Sequence, residues 1–280
     1  MIKFLKNFIN KFFGIQNAHN IFWYLAIIKR VFIRPKKYRS MMDIFNKKKY
    51  FVIKKSQLLF SLRDLGNNSI SRGKNFFLKE PKTISWIDNF SPNSNFLDIG
   101  ANIGIFSLYA AHKGHNVVSV EPESLNFAAL NININDNDFN QNIKTYPFSI
   151  NSENSIGLLE LSEVNWGKSG HSFDTKPSNI DGKKIFQGSY GCSVDFLSKE
   201  IDFIPDYIKI DVDGNELKVI YGMEKLLQNQ SIKGILVEID VNKKENTKII
   251  NFLSKFHYKT ISKDIVVPNQ PNIVNYIFSI

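Results

Sequence analysis

The sequence predicts an α/β fold in which helices cover both faces of a mostly parallel β-sheet, a three-layer sandwich. The first observation is that short apolar segments alternate with helix-length segments from residue 83 onward. The second is a glycine turn at residues 100–104, placed where a parallel strand would meet its helix. The third is that Glu121 and Asp211 each follow a further apolar segment. Because parallel strands end at one edge of a sheet, these features should share one crevice.

The elements follow from this alternation in chain order. We expect helices at residues 83–89, 105–113, 124–135 and 217–227. The first parallel strand ends just before Gly100, and four more are expected at residues 116–120, 143–150, 207–210 and 235–239. Two final strands, at residues 258–261 and 273–280, should form an antiparallel hairpin. The expected sheet therefore has seven strands.

Three other regions are interpreted from composition and turn residues. We expect residues 1–60 to be mainly helical and residues 66–73, which are rich in Gly, Asn and Ser, to form a linker. Residues 165–191 show no clear period and should form a long loop.

The turn at residues 100–104 distinguishes between nucleoside cofactors. It reads G-A-N-I-G, so Asn102 stands where the dinucleotide fingerprint G-x-G-x-x-G has its second glycine. Asp98 precedes the turn by two residues, where its carboxylate would repel a pyrophosphate but would attract an ammonium group. S-Adenosylmethionine has an ammonium group and no phosphate. The pattern therefore favours S-adenosylmethionine over NAD, with Gly100 and Gly104 in the cofactor loop.

Glu121 follows the second strand of the expected sheet. A carboxylate at this strand end can accept hydrogen bonds from both hydroxyls of a ribose. We therefore expect Glu121 to bind the ribose of the same cofactor. The alternative is a tight strand-to-helix turn with two surface carboxylates, Asp98 and Glu121.

A second acidic group follows the strand at residues 207–210. Asp211, Asp213 and Glu216 lie within six residues of one another, and such carboxylates are costly to gather unless a cation, a proton or a substrate hydroxyl uses them. Asp211 is best placed to face the cofactor. For Asp213 and Glu216, an ordinary turn and helix N-terminus explains the pattern equally well.

Together these motifs resemble the FkbM family of S-adenosylmethionine-dependent methyltransferases. The resemblance rests on LDIGANIGIFS at 97–107, VEP at 120–122 and YIKIDVDGNELKVIYGMEKLL at 207–227, and it continues in ILVEI at 235–239. It extends over roughly residues 82–257. It implies the class I methyltransferase fold, which is Rossmann-like, and usually methylation of a hydroxyl oxygen on a natural product or sugar.

The resemblance also implies roles for single residues. It assigns the cofactor loop to Asp98, Gly100, Asn102 and Gly104, and the ribose to Glu121. Asp211, Gly214 and Glu216 match the family motif D-x-E-G-x-E. Residue 213 is aspartate where the family has glutamate, which leaves the role of this position open.

A hydroxyl acceptor has to lose its proton, and three residues are candidates for the base. His171 lies on the expected long loop, and Asp211 and Glu238 lie at strand ends. A lone loop histidine is more often merely solvated. No group of His and Cys has the spacing of a metal site, so we expect no metal, with a magnesium site on Asp211 and Asp213 as the open alternative.

Charge divides the chain into two parts. Residues 1–80 contain 18 Lys and Arg but three acidic residues, whereas residues 81–280 have a net charge of −5. We therefore divide the chain into a basic, largely helical extension, residues 1–80, and an FkbM-like methyltransferase domain, residues 81–280. Residues 3–13 place apolar side chains at helical spacing with lysines between them, and basic residues recur at 29–37. This pattern suits binding of residues 1–37 to an anionic membrane surface. Packing of this segment on the catalytic domain or on a second subunit is the alternative.

The sequence thus predicts a cytoplasmic S-adenosylmethionine-dependent O-methyltransferase that also binds the inner face of the membrane peripherally. Its acceptor is expected to be a small molecule or saccharide, a lipid-linked sugar included. One alternative is an RNA methyltransferase, although the chain has no D/N-P-P-Y/F segment, which makes nucleic acid a disfavoured partner. The other is a non-catalytic, cofactor-binding protein associated with the membrane.

Overall fold

The computed structural model describes residues 49–55, 57–177, 183–243, 245–267 and 270–280. They belong to a single unit of backbone contacts that begins at Lys49. The membrane-binding segment predicted at residues 1–37 lies outside the described residues, and the domain boundary predicted between residues 80 and 81 stays a prediction. Among the residues that the structure describes, none of the helices combines the length and the apolarity needed to cross a bilayer.

The described residues form strands and helices with the following bounds. The strands are β1 Tyr50–Lys54, β2 Leu58–Arg63, β3 Asn95–Ile99, β4 Asn116–Val120, β5 Ile143–Tyr146, β6 Ser149–Ile150, β7 Ser155–Leu161, β8 Ser172–Asp174, β9 Ile185–Cys192, β10 Tyr207–Ile210, β11 Gly234–Asp240, β12 Lys259–Val267 and β13 Gln270–Ser279. The helices are α1 Asn67–Lys74, α2 Phe76–Lys79, α3 Pro81–Asp88, α4 Ile105–His112, α5 Ser124–Asp136, α6 Val194–Glu200, α7 Glu216–Tyr221, α8 Glu224–Gln228 and α9 Glu245–Lys255.

Seven of these strands form the central sheet, in the order β12-β13-β11-β10-β3-β4-β5. The five neighbouring strands β11, β10, β3, β4 and β5 pair in parallel. Ile99 on β3 lies opposite Ile210 on β10 and Val120 on β4. Strand β13 pairs antiparallel with both β11 and β12. The mostly parallel, seven-stranded sheet and its antiparallel C-terminal hairpin are therefore confirmed.

Side chains of the parallel strands alternate between two apolar layers, one on each face of the sheet. On β3, Leu97 and Ile99 pack in the layer that includes residues of α6, α7 and α9. Phe96 packs in the opposite layer, with residues of α3, α4 and α5. Helices therefore cover both faces, and the predicted three-layer sandwich is confirmed.

A second sheet, in the order β6-β9-β7-β8, forms between β5 and β10 in the chain. The continuous strand predicted at residues 143–150 is wrong, because Pro147 lies between β5 and β6 and cannot donate a ladder hydrogen bond. The long loop predicted at residues 165–191 is also partly wrong, since β8 and all but the last residue of β9 lie within it. Both strands pair with β7, which is distant in sequence, so a local pattern did not reveal them.

Residues 50–63 form a β-hairpin, so the prediction of helix up to residue 60 is wrong for this part. Phe60 and Leu62 on β2 are buried in the layer that contains α4 and α5. Arg63 pairs with Asp136 of α5. Long-range burial of one face of the hairpin, which the local sequence does not show, explains the strands.

The linker predicted at residues 66–73 is helix α1 instead. Its Gly, Asn and Ser residues are weak helix formers, but the helix packs against β1. A Cβ atom added to Gly73 would lie 2.3 Å from the Phe51 ring, so the helix approaches the hairpin as closely as glycine allows. Tertiary packing therefore outweighs the local propensity here.

Candidate active site

A pocket lies where β3, β4, β10 and β11 end, at the edge of the sheet where the sequence predicts the site. Residues of the second sheet close its other side. Of the residues that the sequence singles out, those lining the pocket are Gly100, Asn102, Glu121, His171, Asp211, Asp213 and Glu238. Asp98 and Gly104 do not belong to the lining.

Both glycines of the turn adopt backbone conformations that favour glycine, with φ 79° at Gly100 and φ 87° at Gly104. A Cβ atom on Gly100 would lie 1.8 Å from the carbonyl oxygen of Asp211, and one on Gly104 would lie 2.4 Å from Cδ1 of Leu130. The glycines therefore let the turn approach the end of β10 and helix α5. This is contact within the protein, whereas their role toward a ligand stays a prediction.

Glu121 ties the end of β4 to the glycine turn. Its Oε2 atom accepts a 2.8 Å hydrogen bond from the backbone N–H of Asn102, and its Oε1 atom accepts a 2.9 Å bond from that of Glu123. Burial raises the pKa of Glu121 to about 7, although the two N–H donors oppose this shift. Each carboxylate oxygen has a further lone pair, so Glu121 can accept two more hydrogen bonds from a ligand.

The Asp98 carboxylate is buried behind the glycine turn. Its Oδ2 atom accepts a 2.5 Å hydrogen bond from the Ser107 hydroxyl, whereas Oδ1 is buried without a hydrogen-bond partner among the described residues. Burial raises the pKa of this carboxyl. A buried acceptor without a donor costs free energy, so Asp98 holds an unused acceptor atom close to the turn.

Lys209 lies opposite Asp98 in the register of β10 and β3 and is only 2% exposed. Its Nζ atom lies 2.8 Å from Oδ2 of Asp211 and 5.1 Å from the centroid of the Phe106 ring. Burial alone would lower the pKa of Lys209, but the carboxylates of Asp211, Asp98 and Glu80 raise it. Burial alone would raise the pKa of Asp211, but Lys209 holds it below its ordinary value. Asp211 is therefore ionised at neutral pH.

Three acidic residues meet at the end of the sheet. Asp211, Asp213 and Glu238 each bring a carboxylate oxygen to within 4.8 Å of the others. Burial, and then the charges of Asp211 and Glu80, raise the pKa of Glu238 to about 9, so Glu238 is protonated at neutral pH. Carboxylate oxygens at such separations also suit a divalent cation. The magnesium alternative therefore stays open, and the expectation of no metal stays a prediction.

His171 lines the same pocket and is 8% exposed. Its Nδ1 atom accepts a 3.3 Å hydrogen bond from the backbone N–H of Ser162, which assigns the ring proton to Nε2. Nε2 is buried and has no hydrogen-bond partner in the described part of the chain. Burial lowers the pKa of the imidazole, so the ring is neutral at neutral pH. His171 therefore presents an N–H donor rather than an acceptor.

The segment before His171 is bonded to the glycine turn. The carbonyl oxygen of Lys168 accepts a 2.8 Å hydrogen bond from the side-chain amide of Asn102 and a 2.9 Å bond from that of Asn126. The N–H of Gly170 donates to Oδ2 of Asp213 at 2.7 Å. This segment therefore connects the turn after β3 with the loop after β10 and forms one wall of the pocket.

Several residues of the pocket escaped the sequence analysis. Phe148, Phe173, Arg72 and Lys79 line it, and Lys209 lies beneath it. A signal existed for Lys209, because it interrupts an apolar strand two residues before Asp211. No local pattern identifies Arg72, because its place depends on packing of α1 against a distant segment.

The comparison with family models identifies one match. The model described as the methyltransferase FkbM domain matches residues 98–260, which is more than half of the chain. No curated protein sequence matches the chain.

Solved structures of low sequence identity share parts of the fold. Methyltransferase FkbM from Methylobacillus flagellatus KT is 17% identical with a TM-score of 0.47, over 68% of this chain and 44% of that chain. This chain thus spans less than half the length of that protein. A precorrin-6y C5,15-methyltransferase from Geobacter metallireducens GS-15 is 13% identical with a TM-score of 0.42, over 72% of this chain and 86% of that chain. A tRNA m1G37 methyltransferase from M. jannaschii is 13% identical with a TM-score of 0.44, over 84% and 58% of the two chains.

Proposed function

The chain belongs to the FkbM methyltransferase domain family, and from this premise we propose that it uses S-adenosylmethionine to methylate a hydroxyl group of a saccharide, a lipid-linked sugar or a natural product. One observation carries the proposal. Glu121 lies at the end of β4, bonded to the glycine turn through Asn102, with lone pairs available toward the pocket. This is where the two hydroxyls of a nucleoside ribose find an acceptor.

Other residues of the pocket fit the same cofactor. Asp98 lies behind the glycine turn and outside the lining, so it would act on an ammonium group only through its buried, unpartnered Oδ1 atom. Asp211 lines the pocket as an ionised carboxylate, and its charge favours a cationic ligand. When bound, S-adenosylmethionine supplies an electrophilic methyl group on its sulfonium. The protein has mainly to align the acceptor hydroxyl with that methyl group.

We assign the role of base to Asp211. Lys209 keeps its carboxylate ionised, and the side chain is 28% exposed at the pocket. In this position Asp211 accepts the proton of the acceptor hydroxyl as the methyl group is transferred. Glu238 is protonated, so it donates a hydrogen bond to the acceptor. His171 carries its ring proton on Nε2 and accepts from Ser162 at Nδ1, so it is not the base in this arrangement.

The acceptor side of the pocket suits a saccharide. Its carboxyl groups and His171 can bond to several hydroxyl groups. Phe148 and Phe173 supply apolar surface in the same lining. A sugar ring presents both hydroxyl groups and apolar C–H faces, which matches this combination.

We place the activity in the cytoplasm, with the basic residues 1–37 at the anionic inner face of the membrane. The alternative of RNA methylation predicts label transfer to RNA and binding that weakens steeply with salt. The non-catalytic alternative predicts cofactor binding without turnover.

Methyl transfer from labelled S-adenosylmethionine tests the proposal directly. The purified protein is incubated with saccharide and metabolite extracts of cells that lack it, and mass spectrometry searches for products heavier by one methylene. We expect labelled products in the saccharide fraction with the unmodified chain and a strong loss with Asp211→Asn. Label that enters only RNA, or no label although the cofactor binds, would overturn the proposal.

A further inference from the structure

We call the pocket at the end of the central sheet the cofactor pocket. A second cavity, which we call the basic groove, opens beside it. Its polar lining includes Asn68, Ser71, Arg72, Asn75, Lys79 and Lys168. Arg72 and Lys79 line both the groove and the cofactor pocket, so the two cavities are contiguous. Both residues precede residue 98, where the family match begins. The family match therefore does not cover the two cations that the cavities share.

The two cavities share Arg72 and Lys79, but among the described residues acidic side chains line only the cofactor pocket. Arg72, Lys79 and Lys168 line the groove, and its described lining includes no Asp or Glu. Lys168 is paired with Glu163 at 3.2 Å, but neither Arg72 nor Lys79 forms an ion pair with a described carboxylate. The cofactor pocket, in contrast, contains four acidic residues. A ligand that spans both cavities would therefore meet positive charge in the groove and acidic groups in the pocket.

One hydrogen bond holds the guanidinium of Arg72 in place through its Nε atom. Its Nε atom donates a 2.9 Å hydrogen bond to the carbonyl oxygen of Gly167, which fixes the guanidinium without neutralising it. Among the described residues neither Nη group has a hydrogen-bond partner, and a guanidinium binds phosphate through two parallel hydrogen bonds. Lys79 adds a second positive charge, and Asn68 and Ser71 add neutral polar groups on the same wall.

From these contacts we infer that the basic groove binds a phosphoryl group of the methyl acceptor, which is then a phosphorylated saccharide. The inference rests on the proposed function, because it names the acceptor class of the same site. An acceptor that crosses from the groove to the pocket places its phosphate at Arg72 and Lys79 and its hydroxyl near Asp211. The cationic part of the cofactor lies against the acidic groups, so each ligand meets complementary charge.

Titration calorimetry with inorganic pyrophosphate tests the groove. The full chain is first saturated with S-adenosylhomocysteine, and pyrophosphate is then added at low ionic strength, where exposed charges are least screened. We compare the unmodified chain with Arg72→Gln and Lys79→Gln. Lys74→Gln is the control, because Lys74 is an exposed lysine of α1 that lines neither cavity.

We expect pyrophosphate to bind the unmodified chain and Lys74→Gln with affinities within about twofold, and each groove variant to bind about 5- to 10-fold more weakly. Lys79→Gln keeps the test decisive if Arg72→Gln fails to fold, since Lys79 is exposed. Equal affinity of all variants, or no binding by the unmodified chain, would overturn the inference. If the inference fails in this way but S-adenosylhomocysteine still binds, the proposed function stands. If S-adenosylhomocysteine does not bind, the proposed function fails as well, independently of the groove.

Competition with bound pyrophosphate distinguishes a soluble phosphorylated acceptor from a lipid-linked one. Displacement of pyrophosphate by glucose 1-phosphate indicates a soluble acceptor, and displacement by phosphatidylglycerol vesicles but not by phosphatidylcholine vesicles indicates a lipid-linked one. Either result supports a phosphorylated acceptor. Displacement only by an oligouridylate, more strongly as its length increases, contradicts the inference and favours RNA.

Discussion

The ammonium group of Lys209 lies 2.8 Å from Oδ2 of Asp211, although Lys209 is almost completely buried. The same lysine lies opposite Asp98 in the strand register. A single cation thus compensates two acids, one beneath the glycine turn and one that lines the pocket. Because burying a charge without a partner is costly, the acids and the lysine depend on one another.

Replacing Lys209 should therefore destabilise the fold. Lys209→Met leaves Asp98 and Asp211 close together without their cation, and we expect the free energy of unfolding to fall by about 3–5 kcal/mol. Urea denaturation followed by circular dichroism measures this change.

A double variant separates charge from packing in this experiment. Lys209→Met with Asp211→Asn removes both partners, so it should recover part of the stability that Lys209→Met loses. If the double variant is less stable than the sum of the two single changes predicts, the buried pair is not the source of the effect.

The glycine turn yields a second prediction, with a matched control in the same protein. Gly100 and Gly114 both have positive φ, but only Gly100 has an atom, the Asp211 carbonyl oxygen, where a Cβ would lie. Gly114→Ala should cost about 1–2 kcal/mol for its backbone conformation alone. Gly100→Ala should cost about 1–3 kcal/mol more, because it also forces the turn away from β10. Equal thermal stability of the two variants would show that this close approach is absent.

The raised pKa of Glu121 predicts how the free energy of unfolding depends on pH. Burial raises its pKa from 4.5 to about 7, so within this window the folded chain holds a proton that the unfolded chain has released. The free energy of unfolding therefore falls as pH rises through the window. Glu121→Gln lacks this contribution. Between about pH 5 and about pH 8 its free energy of unfolding should therefore fall by roughly 2–3 kcal/mol less than that of the unmodified chain.

Denaturant titrations at both pH values measure that difference. The control is Glu200→Gln, which removes an exposed glutamate and should leave the decline as it is in the unmodified chain. A decline of the same size in Glu121→Gln would show that Glu121 does not titrate in this range.

The N-terminal segment can be tested separately from the described unit, which begins at Lys49. A chain without residues 1–37 should keep its fold but should no longer sediment with phosphatidylglycerol vesicles, because the basic amphipathic segment is gone. Phosphatidylcholine vesicles are the control. Sedimentation of the shortened chain at the level of the full chain would refute the membrane role.

Much of the fold could be predicted because the parallel core is specified locally. Strands β3, β4 and β10 are short, mostly apolar runs followed by a glycine turn or an acid, and the period changes between strand and helix. The hairpin at residues 50–63 could not be predicted, since its strands depend on burial against α4 and α5. Strands β8 and β9 could not be predicted, since they pair with β7 across many intervening residues.

The candidate site divides in the same way. Glu121 and Asp211 are visible in the sequence because strand ends bring them to a common edge, and the structure places both in one pocket. The donor role of His171 was not visible, because it depends on a hydrogen bond from Ser162. Arg72 lies in a segment that the sequence predicts to be a linker, so no signal marks it as part of the site.

Calorimetric titration with S-adenosylmethionine examines the central proposal most directly. We expect one molecule to bind per chain, and Glu121→Ala to lose about 1–3 kcal/mol of binding free energy, because the acceptor of the ribose hydroxyls is gone. Binding to the unmodified chain that Glu121→Ala leaves unchanged would contradict the assignment of the ribose site. No binding of S-adenosylmethionine, with binding of NAD instead, would contradict the account as a whole.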